Sequence, residues 1–286
     1  MGLWSGKRVT VTGGAGFLGS YVVQKLRSQD AEVFVPRSRD YDLTREEAAQ
    51  RMYQDAQPSV LIHLAATVGG IGANQKNPGL FFHENAAMGL HVVEGARAYG
   101  KLNKLVIIGT TCSYPKFCPV PFREEDLWNG YPEETNAPYG IAKRSLLAMA
   151  WAYRQEYGLN AIYLIPANLY GPGDNFDPES SHVIPALVRK FVEAREAGTP
   201  AVHAWGTGSA SREFLYAGDA ADGILLAAAK YDGADHVNLA TGREITIRDL
   251  SGLIAKLTGY AGSTVWDPTK PDGQPRRCLE IGRAHV

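Results

Sequence analysis

The chain has 286 residues, 45% of them hydrophobic, enough for one large α/β domain or for a nucleotide-binding domain with a smaller lobe. Lys and Arg number 29 against 30 Asp and Glu, a formal charge of −1, so there is no basic field for nucleic acid or an anionic membrane, and small-molecule partners are expected. Three cysteines (Cys112, Cys118, Cys278) without C-x-x-C spacing fit neither a disulfide framework nor a metal site, and they suggest a reducing, cytoplasmic setting. Met1 to Gly6 holds no apolar signal core, and no stretch approaches the roughly 20 apolar residues of a membrane span.

In chain order, Arg8–Thr12 reads as a strand, Gly16–Gln29 as a helix, Glu32–Val35 as a strand and Thr44–Ala56 as a helix. Ser59–Leu64, Leu105–Ile108 and Ala161–Ile165 read as further strands, separated by helical patterns over Leu80–Tyr99 and Tyr139–Tyr157. This alternation predicts a Rossmann-like, doubly wound parallel sheet over residues 1–166, with later segments returning to it. From 167 to 280 the pattern loosens into a smaller α/β substrate lobe. It has a helix at His182–Ala197 and short strands near Val202–Trp205 and Glu213–Tyr216. The last six residues, Ile281–Val286, are what ATC GGA AGA GCA CAC GTC encodes, a common sequencing adapter. They are expected to be a non-native tail, with the natural sequence running to about Leu279 and its own C-terminal segment missing.

Gly13, Gly16 and Gly19 fall where the first strand turns into the first helix. Backbone N–H groups, with Phe17 and Leu18 on the same turn, can there face a pyrophosphate that side chains would block. At the end of the second strand an acidic residue would favour NAD and an arginine NADP. Here the strand runs into Pro36-Arg37-Ser38-Arg39, which points to NADP(H), with Arg37 as the first candidate for the 2′-phosphate and Arg39 as the second.

Tyr139 and Lys143, four apart on a helix, pair a phenol with a cation able to stabilise its phenolate, so Tyr139 is the expected proton donor to a carbonyl. Tyr21-Val-Val-Gln-Lys25 fits the same pattern but lies on the helix leaving the glycine turn, so position selects Tyr139. A hydroxyl at the end of the fourth strand would complete the set, and both Thr110 and Thr111 offer one. Strand, hydroxyl, tyrosine and lysine in this order resemble the extended short-chain dehydrogenase/reductase superfamily.

Within that superfamily the segments Val68–Asn74, Thr110–Lys116, Pro166–Phe176, Ser181–Ala186, Trp205–Gly208, Arg212–Leu215 and Lys270–Gly273 resemble the GDP-L-fucose synthases, over nearly the whole chain to Leu279. The resemblance implies epimerisation of GDP-4-keto-6-deoxy-D-mannose at C3 and C5, hydride transfer from NADPH to C4, and a homodimer through the helices near Leu80–Tyr99 and Tyr139–Tyr157. By resemblance Cys112 is the base, His182 the acid and Thr110 the hydroxyl, where the family has serine. Asp42, Leu64, Ala65, Ala66, Pro166, Asn168, Leu169 and His182 are implied at the cofactor, and Asn168, Lys190, Trp205, Arg212 and Asp272 at the substrate. The residue chemistry agrees, because inverting a carbon beside a ketone needs a base on one face and an acid on the other. The glycine-rich stretch Val68–Asn77 is expected as a loop covering the nicotinamide and sugar. Two other readings use the same residues. One is an NAD(P)-dependent sugar-nucleotide 4-epimerase or 4,6-dehydratase, against which Cys112 stands where a dehydratase needs an acidic pair. The other, of a different class, is a dinucleotide-binding regulator without catalysis.

Overall fold

The computed structural model describes residues 2–178, 180–270 and 272–284. Pro271 of the Lys270–Gly273 motif and the last two residues of the expected tail therefore lie outside the described residues. The first half alternates as β1 (Arg8–Thr12), α1 (Phe17–Arg27), β2 (Glu32–Phe34), α2 (Glu46–Ala56), β3 (Val60–His63), α3 (Ile71–Lys76), α4 (Pro78–Tyr99), β4 (Lys104–Ile108), α5 (Ala137–Tyr157) and β5 (Ala161–Pro166). The second half adds β6 (Asn168–Tyr170), α6 (Val183–Ala197), β7 (Ala201–Trp205), β8 (Ser211–Tyr216), α7 (Ala217–Lys230), β9 (Val237–Leu239), β10 (Glu244–Thr246), α8 (Ile247–Thr258), β11 (Ser263–Asp267) and β12 (Arg276–Arg277).

The main sheet is parallel throughout, in the order β2-β1-β3-β4-β5-β9. Strands β3, β4 and β5 are buried at every position, so apart from His63 at the end of β3 and Lys104 at the start of β4 they read in the sequence as continuous apolar runs rather than alternating ones. Helices cover both faces. α4 packs between α2 and α5, while α1 packs on α7. Full burial of side chains such as Leu61, Leu105 and Ile107 contributes roughly 1.5–3 kcal/mol each.

The order places strand ends where chemistry can meet. β1, β3, β4 and β5 are neighbours and parallel, so the loops after all four open on one edge, the crevice in which α/β sheets hold ligands. A second sheet joins β10, β8 and β12, with β6 on β8, and β7 pairs with β11. A separate apolar cluster of Leu187, Phe191, Val202, Leu250, Ile254 and Tyr260 holds α6, α8 and β7 together.

One expectation changes. The Val68–Asn77 stretch is not an open loop: residues 71–76 form α3, and the buried Asn74 amide donates to the carbonyls of Gly69 and Gly70 at 2.9 and 3.1 Å. Two glycines before a polar run read as a loop. The helix becomes possible because Asn74 satisfies the carbonyls behind it and Gly70 N–H donates to Ser180 O at 3.3 Å. The three cysteines are free. Of the expected tail, 282–284 form a single 3-10 turn, from which Arg283 donates to His236 O at 3.0 Å.

Candidate active site

The glycine turn is closed by contacts that leave no room for side chains. Gly13 has φ +70°, and a Cβ there would stand 2.7 Å from Ala65 N; at Gly19 it would meet Gly13 O at 2.1 Å. Leu64 and Ala65 run beneath this turn, tied to Thr12 by Leu64 N to Thr12 O at 3.1 Å and Ala65 N to Thr12 Oγ1 at 3.3 Å. α1 begins at Phe17 with Gly16 as N-cap and no side-chain cap. The first N–H groups of the helix, from Phe17, Leu18 and Gly19, are thus left for an anion. A dinucleotide pyrophosphate fits this cradle.

The two arginines after β2 separate. Arg39 pairs with Asp40 at 3.2 Å, whereas Arg37 is exposed and, among the described residues, forms no ion pair. Arg37 is therefore the better ligand for a 2′-phosphate. Asp42 accepts from Thr44 Oγ1 at 2.7 Å and Thr44 N at 3.1 Å, bonds that hold its carboxyl below the usual range and shape the turn into α2.

At the end of β4 the chain turns through a 3-10 segment, Thr111–Ser113, capped by Thr110, whose Oγ1 accepts from Cys112 N at 3.2 Å. This segment lies directly on α5. A Cβ at Gly140 would stand 2.2 Å from Cys112 O, so glycine after Tyr139 is what lets the Cys112 turn touch the helix. Ser113 Oγ donates to Gly140 O at 2.9 Å and completes the seam. Tyr139 is half-buried, and burial, then the neighbouring Cys112, push its hydroxyl above the usual range, while a hydrogen bond with Thr110 acts the other way. Thr110, Cys112 and Tyr139 are thus together. Thr110 rather than the buried Thr111 carries the hydroxyl that faces Tyr139.

Lys143 lies one turn along α5 from Tyr139. Its ammonium is buried and donates to Ile108 O at 3.1 Å, and burial lowers it to about 8.

His182 caps α6 from a loop that docks on the Gly70 turn. Asp174 lies beside it; burial raises this carboxyl, His182 opposes the rise, and Asp174 Oδ2 is a buried atom without a hydrogen-bond partner. No hydrogen bond joins His182 to Cys112 among the described residues. Pro166 and Leu169 belong to β5 and β6, and Asn168 Nδ2 donates to Glu213 O at 2.8 Å. Lys190 donates to His203 O at 2.9 Å. Trp205 is 61% exposed with Lys270 over its ring, a surface for stacking. Asp272 stands beside the Gly206–Gly208 turn that follows Trp205. Its Oδ1 and Oδ2 accept from Thr207 N and Oγ1, each at 2.8 Å, which fixes the Gly206–Gly208 turn.

Arg212 donates to the carbonyls of Ser211 (2.7 Å) and Asp272 (3.1 Å), forms no carboxylate ion pair among the described residues, and is lowered to about 10 by burial and then by Arg277. A cation in that state suits a diphosphate. The second Y-x-x-x-K pair is structural: Tyr21 donates to Pro172 O at 2.8 Å and Lys25 pairs with Asp222 across α1 and α7. Sequence reasoning missed Arg277, whose Nη1 lies 3.6 Å from Cys112 Sγ, and Gln274, which holds it. The one signal was an Arg-Arg pair just after the Lys270–Gly273 motif.

Comparison with known proteins agrees with this geometry. Residues 9–240 match the model of the NAD dependent epimerase/dehydratase family. The GDP-L-fucose synthase of Sinorhizobium fredii is 41% identical over 99% of this chain and 90% of its own length. That of Escherichia coli is 37% identical over 98% and 90%. A GDP-L-fucose synthetase from Naegleria fowleri bound to NADP superposes with a TM-score of 0.88 at 27% identity, over 99% of this chain and 88% of that one. A glycine cradle, a Thr110–Tyr139–Lys143 constellation and a thiol beside it, together with these likenesses, place the chain in the NAD dependent epimerase/dehydratase family, among the GDP-L-fucose synthases.

Proposed function

We propose that this chain converts GDP-4-keto-6-deoxy-D-mannose to GDP-L-fucose, by epimerisation at C3 and C5 and NADPH-dependent reduction at C4. The observation that carries this reading is Cys112, a proton-accepting group built into the same turn as Thr110 and packed on the helix that carries Tyr139. A reductase alone has no use for a thiol there. A GDP-sugar fits the cleft, with Arg212 toward the diphosphate and Trp205 toward the base.

When bound, NADPH supplies the hydride for C4. Cys112 removes the proton from a carbon next to the C4 ketone, and the charge spreads to the C4 oxygen as an enolate. His182, from a separate loop and next to the Asp174 carboxylate, delivers a proton to the opposite face. Tyr139, protonated because burial disfavours its phenolate, then gives its proton to the C4 oxygen as reduction occurs. Thr110 orients that hydroxyl, and Lys143 holds the nicotinamide ribose.

The same reading includes a homodimer. Leu80, Phe82 and Leu90 on α4 and Trp151 and Tyr157 on α5 are exposed by 43–57%, an apolar face on two helices that already pack together. A cytoplasmic setting suits the three free thiols. Incubation with GDP-4-keto-6-deoxy-D-mannose and NADPH is expected to oxidise NADPH and yield GDP-fucose; substrate left unchanged in the presence of cofactor overturns the reading.

A further inference from the structure

Arg277 is a cation of the cleft to which the reaction above gives no task. It stands on β12, in parallel register with β8, so that Arg277 lies beside Arg212. Gln274 Oε1 accepts from both Arg277 Nε and Nη2, each at 3.2 Å, and Gln274 is itself anchored by donating to Lys116 O at 2.8 Å. With one edge of the guanidinium fixed in this way, Nη1 is left 3.6 Å from Cys112 Sγ, within hydrogen-bonding range of sulfur. Neither Arg277 nor Arg212 is in an ion pair with a carboxylate among the described residues. The groups acting on this corner are Arg212 from β8, Tyr139 from α5 and, through Arg212, Asp272 and Glu133.

A guanidinium is charged at every accessible pH, and its N–H groups can donate to a sulfur placed beside it. We propose that Arg277, clamped by Gln274, is a positioning residue for Cys112: its hydrogen bond aims the sulfur, and its positive charge stands beside that sulfur where the substrate proton is transferred. This rests on Cys112 being the epimerisation base. In that step the substrate C–H bond breaks, an S–H bond forms, the electron pair moves to the C4 oxygen, and the thiol later returns its proton to solvent. Gln274 matters because an unclamped arginine would swing away from the sulfur toward the diphosphate held by Arg212.

The test compares alkylation of Cys112 by neutral iodoacetamide and by anionic iodoacetate, read by peptide mass spectrometry so that Cys118 and Cys278 are scored separately. Deuterium uptake at C3 and C5 of the substrate in D2O is measured alongside. In Arg277→Met the iodoacetate rate is expected to fall about tenfold more than the iodoacetamide rate, and deuterium uptake to fall at least about tenfold with the KM for NADPH unchanged. Arg277→Lys, which keeps the charge without the fork, is expected to recover the iodoacetate preference and only part of the exchange. Gln274→Ala leaves Arg277 intact and is expected to lower both by a smaller factor. An unchanged ratio of the two alkylation rates in both Arg277→Met and Gln274→Ala overturns the proposal, whatever the turnover. Wild-type protein that takes up no deuterium overturns the base assignment instead, and the alkylation ratios still decide the role of Arg277.

Discussion

Replacing Gly140 by alanine should damage catalysis far more than folding. The added Cβ would lie 2.2 Å from Cys112 O and 2.8 Å from Cys112 C, against the 3.4 Å at which ordinary contact begins. Both atoms are backbone, so no side chain can rotate away. α5 and the Thr111–Ser113 turn must separate by about 1 Å, the difference between 2.2 and 3.4 Å. Overpacking of this kind costs roughly 1–3 kcal/mol, and alanine's better helix propensity returns about 1 kcal/mol, leaving a net loss near 0–2 kcal/mol. The same displacement moves Cys112 and Thr110 relative to Tyr139, and misplacement by about 1 Å can cost on the order of 100-fold in rate. Urea unfolding and turnover measured on one preparation should show a midpoint close to wild type and a kcat lowered by about two orders of magnitude. A variant that folds and turns over like wild type would refute the argument that this seam sets the geometry of the site.

Arg37→Ser is expected to raise the KM for NADPH by about 10–100-fold, equivalent to roughly 1.4–2.8 kcal/mol, and to leave that for NADH almost unchanged; equal effects on both would remove Arg37 from the 2′-phosphate. Lys143→Met should stabilise the fold at pH 7 while abolishing reduction. Lys143 titrates at about 8 in the folded chain, below its usual value, so its contribution is fully favourable only above the unfolded pKa and is lost as pH falls through about 8. The gain, on the order of 1–3 kcal/mol at pH 7, should therefore vanish above about pH 10.5, and a variant less stable than wild type at pH 7 contradicts this. Trp151→Glu, at an exposed position of the apolar α4–α5 face, should convert a dimer to a monomer in light scattering, and a dimer that survives places the interface elsewhere.

Much of the framework is local and could be read directly. β1, the glycine turn and α1 are consecutive, and β3, β4 and β5 announce themselves as short apolar runs between helical patterns. β9 does not: Val237–Leu239 is three residues long, and only its pairing with β5, some 70 residues earlier, makes it the sixth strand. The site divides along the same line. Tyr139, Thr110 and Cys112 lie on segments whose type the sequence reveals, whereas the Arg277–Cys112 contact spans 165 positions and hangs on a two-residue strand. The choice of Thr110 over Thr111 depends on which hydroxyl the 3-10 turn buries, and the capture of Lys143 by Ile108 O depends on the register of helix against sheet. Spacing alone carries neither.

The central claim, that one cleft holds separate acid–base groups for epimerisation and for reduction, is tested most directly by solvent deuterium uptake in two variants. Substrate is incubated in D2O with Tyr139→Phe or with Cys112→Ala, and C3 and C5 are followed by NMR. Tyr139→Phe should exchange both hydrogens while NADPH oxidation falls by about 100–10,000-fold, and Cys112→Ala should exchange neither. Exchange at the wild-type rate in Cys112→Ala, or its loss in a folded Tyr139→Phe, would contradict the account.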